Sequence, residues 1–178
     1  MLNIPRKGIF NLYMYKYLAV YLVLLLLLSS CKFNPNLQDK GSDYLQGIWQ
    51  ENKVDYQDRL LQYTTHSVKF NCDSFYITFL TKSKVDIYPD SCYNKGVWTE
   101  FAKGGYVVQN DTLFLSGTFA KSDFKQKISG CFRNGQYLES FIIKKHSKDS
   151  LYLESLQQHN PIKLALQKNI TCFPKPVK

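Results

Sequence analysis

Few residues in this chain could do chemistry, and their spacing limits what that chemistry can be. Of 178 residues, five are cysteine and three are histidine. Cys31 stands apart at the end of the run LLLLLSSC, leaving Cys72, Cys92, Cys131 and Cys172. An even set with no CxxC argues against redox catalysis and a zinc ribbon, and for two disulfides in an oxidising compartment. Three pairings are open. The local one, Cys72–Cys92 with Cys131–Cys172, is favoured: its loops of about 20 and about 41 residues would each contribute on the order of 3–4 kcal/mol through chain entropy. His66 shares strand parity with Val68 and Phe70, so it should point the way they do, into an interior. A buried histidine with a carboxylate neighbour could act as a general base, but the sequence reveals no partner. His146, in KKHSKD, and His159, before Asn160-Pro161, read as exposed turns. No HxH, HExxH, GxSxG or glycine-rich phosphate loop occurs. The reading therefore assigns no catalytic residue, no metal and no cofactor.

The elements that must position these residues have a period of two, not 3.6. Val68, Phe70 and Cys72 alternate with Ser67, Lys69 and Asn71, and Phe75, Ile77 and Phe79 with Tyr76 and Thr78; Leu113 and Leu115, Leu151 and Leu153, and Ile162, Leu164 and Leu166 keep the same spacing of two. Thirteen Tyr and twelve Phe suit half-buried pleated surfaces. One helical turn or two could form over Tyr56–Tyr63. A turn signature recurs as Asp73-Ser74, Asp111-Thr112 and Asp149-Ser150, each followed by an alternating run, with the aspartates 38 residues apart. Asp and Ser or Thr close turns by bonding nearby backbone N–H groups, so the spacing is read as hairpin rhythm rather than a duplicated unit. Roughly eight to ten strands without long helices predict an all-β, single antiparallel barrel, with a β-sandwich as the alternative. In such a barrel Trp49, His66, Phe70, Phe75 and Ile77 either line a ligand cavity or simply pack the interior. If Val97, Thr99 and Phe101 face inward, Trp98 faces out and offers a partner surface.

The first thirty residues read as a targeting segment. Arg6, Lys7 and Lys16 precede an apolar stretch from Leu18 to Leu28, about eleven residues and short of the roughly 20 needed to span a bilayer. Met14 could equally start a complete short signal. Leu28-Ser29-Ser30-Cys31 resembles the lipobox of bacterial lipoproteins, which implies cleavage before Cys31 and its acylation, and hence a membrane anchor. Lys32, rather than aspartate, follows the cysteine; by that resemblance the default destination is the outer membrane of the cell envelope, with the facing side open. The expected organisation is a signal over 1–30, a lipidated cysteine and flexible tether over 31–44, a barrel over 45–174 and a tail over 175–178. Removing residues 1–30, with their three basic and no acidic residues, takes the net charge from +9 to +6. The remaining lysines are scattered among Asp and Glu, which gives no nucleic-acid footprint.

Gly47-Ile48-Trp49 resembles the Gly-x-Trp of lipocalins and lipocalin-like bacterial lipoproteins, in which the Trp packs across the closed end of the barrel. The Thr-Asp-Tyr motif of that family is absent, and Lys163 or Lys168 would have to stand in for the arginine that covers the Trp. The stretches KFNCDSFY, GVWTEFAKGGYVVQNDTLFLSGTF, FKQKISGCF and ITCFPKP are similar to small lipoproteins of Bacteroidetes-type bacteria. These are sometimes catalogued as fumarate hydratases, yet the Ser-Ser-x-Met-Pro-x-Lys-x-Asn loop of that enzyme superfamily has no counterpart here. In those phyla Asp111-Thr112-Leu113 and Asp149-Ser150-Leu151, and less closely Asp73-Ser74-Phe75, resemble O-glycosylation acceptors.

The function these readings predict is a non-enzymatic, lipid-anchored barrel that binds a small apolar ligand or an envelope protein. An envelope hydrolase or isomerase and a structural subunit are the alternatives. An apolar cavity favours the first, a cleft where His66 meets a second polar group the second, and an exposed aromatic patch the third.

Overall fold

The computed structural model describes residues 17–22, 37–86, 88–157 and 161–176. The chain divides into two units, Met1–Asn36 and Leu37–Lys178. In the first, residues 17–22 are helical and exposed. No helix among the described residues is long and apolar enough to cross a membrane. Cys31 and the lipobox-like residues 28–30 before it lie outside the described residues, as does His159.

The second unit is a closed barrel of eight antiparallel strands in sequence order. These are β1 (Gly47–Glu51), β2 (Gln62–Asn71), β3 (Ser74–Ser83), β4 (Val97–Gln109), β5 (Thr112–Ala120), β6 (Gln136–His146), β7 (Ser150–Ser155) and β8 (Pro161–Asn169). Closure of β8 onto β1, with Glu51 opposite Leu164 and Gly47 opposite Asn169, leaves no sheet edge to protect. The alternation read from the sequence is the inward–outward rule of a barrel. Val68 and Phe70, then Phe75, Ile77 and Phe79, then Leu113 and Leu115, and Leu151 and Leu153 all bury in one core.

The parity expected for β4 is reversed. Trp98, Glu100, Ala102 and Tyr106 face inward, while Val97 is exposed. Apolar residues occupy both parities here, so alternation alone is ambiguous, and Phe101 is covered on the outer face by the ring of Phe124. The inward set includes Gly104 opposite Gly117. A Cβ on Gly104 would lie 2.1 Å from the Ser116 carbonyl oxygen, so the close approach of β4 and β5 requires glycine there. Tyr56–Tyr63 is not a helix: residues 55–59 form a turn, with Tyr56 at φ 58°, and Gln62 and Tyr63 are drawn into pairing with Ser83 and Lys82.

Three hairpin tips, at residues 72–73, 110–111 and 147–149, close one end of the barrel. In each, the aspartate carbonyl accepts a backbone N–H from a later strand. Tyr106 donates to Asp73, Ile143 to Asp111 and Leu166 to Asp149, all at 2.8 Å. The recurrence at 38 residues is thus one aspartate contact used at three hairpin tips. Residues within the stretch read as a tether contact the barrel unit: Leu37 bridges Pro176, and the Gln38 N–H donates to the Lys175 carbonyl at 2.8 Å. Residues 37–46 lie as a strap across the closed end, and the expected tail is paired with it at 175–176.

The disulfides are Cys72–Cys172 and Cys92–Cys131, not the local pairs expected. Cys72 and Cys92 flank the ten residues of β3, which carry the chain about 33 Å, from one end of the barrel to the other. Nearness in sequence is therefore separation in space. The C-terminal segment after β8 returns to the closed end and meets Cys72 there. Cys92, on a helical turn over Asp90–Tyr93, meets Cys131 of the β5–β6 loop at the opposite end.

Candidate functional site at the open end

The barrel interior has two chemistries stacked along its axis. Toward the closed end it is filled. Trp49, Phe70, Phe75, Leu45 and Leu113 are each at most 1% exposed, and a void of about 10 Å³ lies among His66, Phe70, Ile77 and their neighbours. Of the two roles read for Trp49, Phe70, Phe75 and Ile77, cavity lining or interior packing, their burial fits packing. Trp49 crosses the closed end, its indole N–H donating to the Leu45 carbonyl at 2.8 Å. No lysine takes the role of the covering arginine: Lys163 is committed to Asp55 at 2.7 Å, and Lys168 is exposed.

Toward the other end the same inward parity carries polar groups, and a cavity of about 300 Å³ opens among them. Two residues past Trp49, β1 turns Glu51 inward, and its side chain is 3% exposed. Two residues before Val68, β2 turns His66 inward to meet it. Glu51 Oε2 accepts from His66 Nδ1 at 2.7 Å and from the His66 backbone N–H at 3.2 Å. The carboxylate thereby fixes the ring, places the proton of the neutral imidazole on Nδ1 and leaves Nε2 as an acceptor. The edge of Phe79 holds the ring from the side, with centroids 5.5 Å apart. His66 has the carboxylate neighbour that could not be seen in the sequence.

The opposite wall comes from β6 and β7. Glu139 Oε1 accepts from the Ser155 hydroxyl at 2.8 Å. Tyr137, two residues earlier, is buried against Phe75, Phe79 and Phe119. Burial pushes its phenol well above the ordinary value of 10.0, and the charge of Glu139 adds to the effect.

A segment of the β5–β6 loop closes over one side, with three consecutive residues pinned. Cys131 is held by its disulfide, and Phe132 stacks flat on Trp98, centroids 4.5 Å apart. Arg133 grips Glu100, donating from Nη2 to Oε2 at 2.9 Å and from Nε to Oε1 at 3.1 Å. The guanidinium also lies 4.7 Å from the ring centroid of Phe79 and 5.1 Å from that of Phe119. Trp98 is thus a buried anchor for this segment and not the outward surface residue expected. Tyr88 meets both Trp98 and Phe132 edge-on.

Of the residues proposed for a cavity, only His66 reaches the mouth. Glu51, Glu100, Glu139 and Arg133 were missed. For the three acids a signal existed: each shares strand parity with core residues, as in Trp49/Glu51, Glu100/Ala102 and Tyr137/Glu139/Phe141. Arg133 sits in a loop without periodicity and had none. His146 ends β6 and stacks on Tyr44, centroids 4.4 Å apart. Ser74, Thr112 and Ser150, the residues resembling glycosylation acceptors, all begin strands at the closed end. Among the described residues no group of three or more His, Cys, Asp or Glu is placed to hold a metal ion. No family model, curated protein or solved structure matches this chain.

Proposed function

We propose that this chain is a lipid-anchored barrel of the cell envelope that binds a small, partly polar ligand at its open end. The observation that carries the reading is the mouth cavity, where the half-buried His66, paired with the buried Glu51, and Glu139 meet the apolar side chains of Leu60, Phe141 and Ile162. Ligand sites are typically concave, largely apolar and provided with a few placed polar groups. The lipobox-like LSSC at residues 28–31 supports anchoring through Cys31. The two disulfides support an oxidising compartment such as the periplasm or the outer-membrane surface. The cell-envelope ligand, not nucleic acid, is the partner. Native mass spectrometry of the chain extracted from membranes tests the reading: a retained small molecule and a lipid mass on the Cys31 peptide are expected. A bare chain with unmodified Cys31 would contradict it.

A second reading has its own observation. His66, oriented by Glu51 beside a cavity, has the arrangement of a general base, with Nε2 able to take a proton from water or substrate. An envelope hydrolase or isomerase would lose turnover in His66→Gln while keeping ligand affinity within a few-fold; a binding protein has no turnover to lose.

A further inference from the structure

We propose that the ligand of the mouth cavity is a small organic cation, an ammonium group on an apolar body, with Glu51 and Glu139 as its charge partners. The inference rests on the reading that the mouth binds a ligand. It is carried by the charge balance of the cavity and by a cation already seated at its wall.

The charged lining groups among the described residues are Glu51, Glu139, Arg133 and the titratable His66. The charge of Arg133 is already matched by that of Glu100, to which its Nε and Nη2 are bonded. Among the described residues, Glu51 and Glu139 receive hydrogen bonds from His66 and from the Ser155 hydroxyl, groups that are neutral when the imidazole is unprotonated. The Glu51 side chain is 3% exposed, its Oε2 takes both bonds from His66, and no described residue bonds its Oε1. Withdrawing a carboxylate from water is unfavourable unless a cation or further donors compensate it. An ammonium entering the cavity supplies both, whereas a carboxylate ligand would add to the repulsion.

Arg133 gives an example of the same chemistry within the chain. Its guanidinium sits on a carboxylate whose side chain is 6% exposed and within cation–π distance of two rings, Phe79 and Phe119. The mouth therefore already stabilises one organic cation by pairing a buried acid with aromatic walls. Tyr63, Tyr137 and Phe141 line the space beside Glu51 and Glu139, which repeats that combination around an open volume.

Calorimetric titration of the purified chain with three probes of matched shape tests this. The probes are phenethylamine, 3-phenylpropionate and 3-phenylpropanamide. Phenethylamine is expected to bind at least ten-fold more tightly than the other two, and at least ten-fold more weakly to Glu139→Gln and to Glu51→Gln. Glu139→Gln alters a partly exposed residue, so it remains informative if Glu51→Gln fails to fold. Preference for 3-phenylpropionate or the amide would overturn the charge assignment and leave mouth binding standing. Phenethylamine binding that neither variant weakens would place the cation elsewhere and overturn the site. No heat with any probe would count against both the inference and the reading beneath it.

Discussion

The two ends of the barrel follow one rule of strand parity and reach opposite outcomes. At the closed end the buried polar group is Gln46, whose amide spends its capacity within the fold. Its Nε2 reaches the carbonyls of Cys72, Ser42 and Lys40 and the Tyr106 hydroxyl, and its Oε1 accepts from the Cys72 N–H at 2.7 Å. Gly41, at φ +64°, lets the strap pass where a Cβ would lie 2.2 Å from the Cys72 carbonyl oxygen. At the mouth the buried polar groups include the charged Glu51 and Glu100, most connections are long loops, and a cavity remains. A neutral, fully bonded hub makes a plug. Acids with spare acceptor capacity beside a cavity make a site.

If that contrast is right, damage to the closed end costs global stability, and damage to the mouth costs mainly local order. The largest effect is expected from replacing Cys72 and Cys172 together with alanine. The bond spans a sequence separation of 100 residues, and its loss should lower the denaturant-derived unfolding free energy by about 4–5 kcal/mol. The same treatment of Cys92 and Cys131 spans 39 residues and should cost about 4 kcal/mol or less. It should also raise hydrogen exchange around Phe132 and Arg133 while sparing Trp49. Equal loosening at both ends in either variant would erase the distinction.

Gln46→Ala should destabilise by about 3 kcal/mol, because the buried Cys72 N–H and carbonyl lose their side-chain partner. Thermal or urea unfolding measures it, and a loss under about 0.5 kcal/mol would deny Gln46 its role as hub. Arg133→Ala should cost only about 1 kcal/mol, because the side chain is 44% exposed and solvent screens the pair. It should nevertheless widen the mouth, detectable as faster exchange of the loop amides.

The tyrosines provide a smaller test through pH. Burial raises the phenol of Tyr106 at the closed end, although the Ser42 N–H and the Gln46 amide bonded to its oxygen pull the other way. Tyr137 is raised further, by burial and by Glu139. Folded values above the unfolded value of 10.0 mean that these groups leave stability unchanged below that pH. As pH rises past it, the unfolded chain ionises first and stability falls. Tyr137→Phe should flatten that fall more than Tyr106→Phe does, as read from unfolding free energies between about pH 9 and pH 11. The reverse order would misplace the stronger desolvation.

How much of this was legible in the sequence also differs between the ends. The closed end could be read: alternation gave the core strands, Gly47-Ile48-Trp49 gave the plugging indole, and the three Asp-Ser/Thr turns gave the hairpin tips. The disulfide pairing could not, because chain distance says nothing about which end of a ten-residue strand a cysteine occupies. The mouth was half legible. Parity aimed His66 inward, and the same count applied to acids would have found Glu51 and Glu139. Their meeting across β1, β2 and β6 is a product of closure, which no local pattern encodes. Trp98 was turned the wrong way because β4 carries apolar residues on both faces. Arg133 owes its place to a disulfide to Cys92 and to a ring stack on Trp98 of β4.

The central claim is that the mouth binds and the closed end only holds the fold together. The most direct measurement is nuclear magnetic resonance mapping of amide and side-chain shifts as phenethylamine is added. The account predicts perturbations centred on Glu51, His66, Tyr137 and Glu139, with Gln46, Trp49 and Tyr106 unmoved. Shifts centred on Gln46, Trp49 or the strap, with the mouth silent, would contradict it.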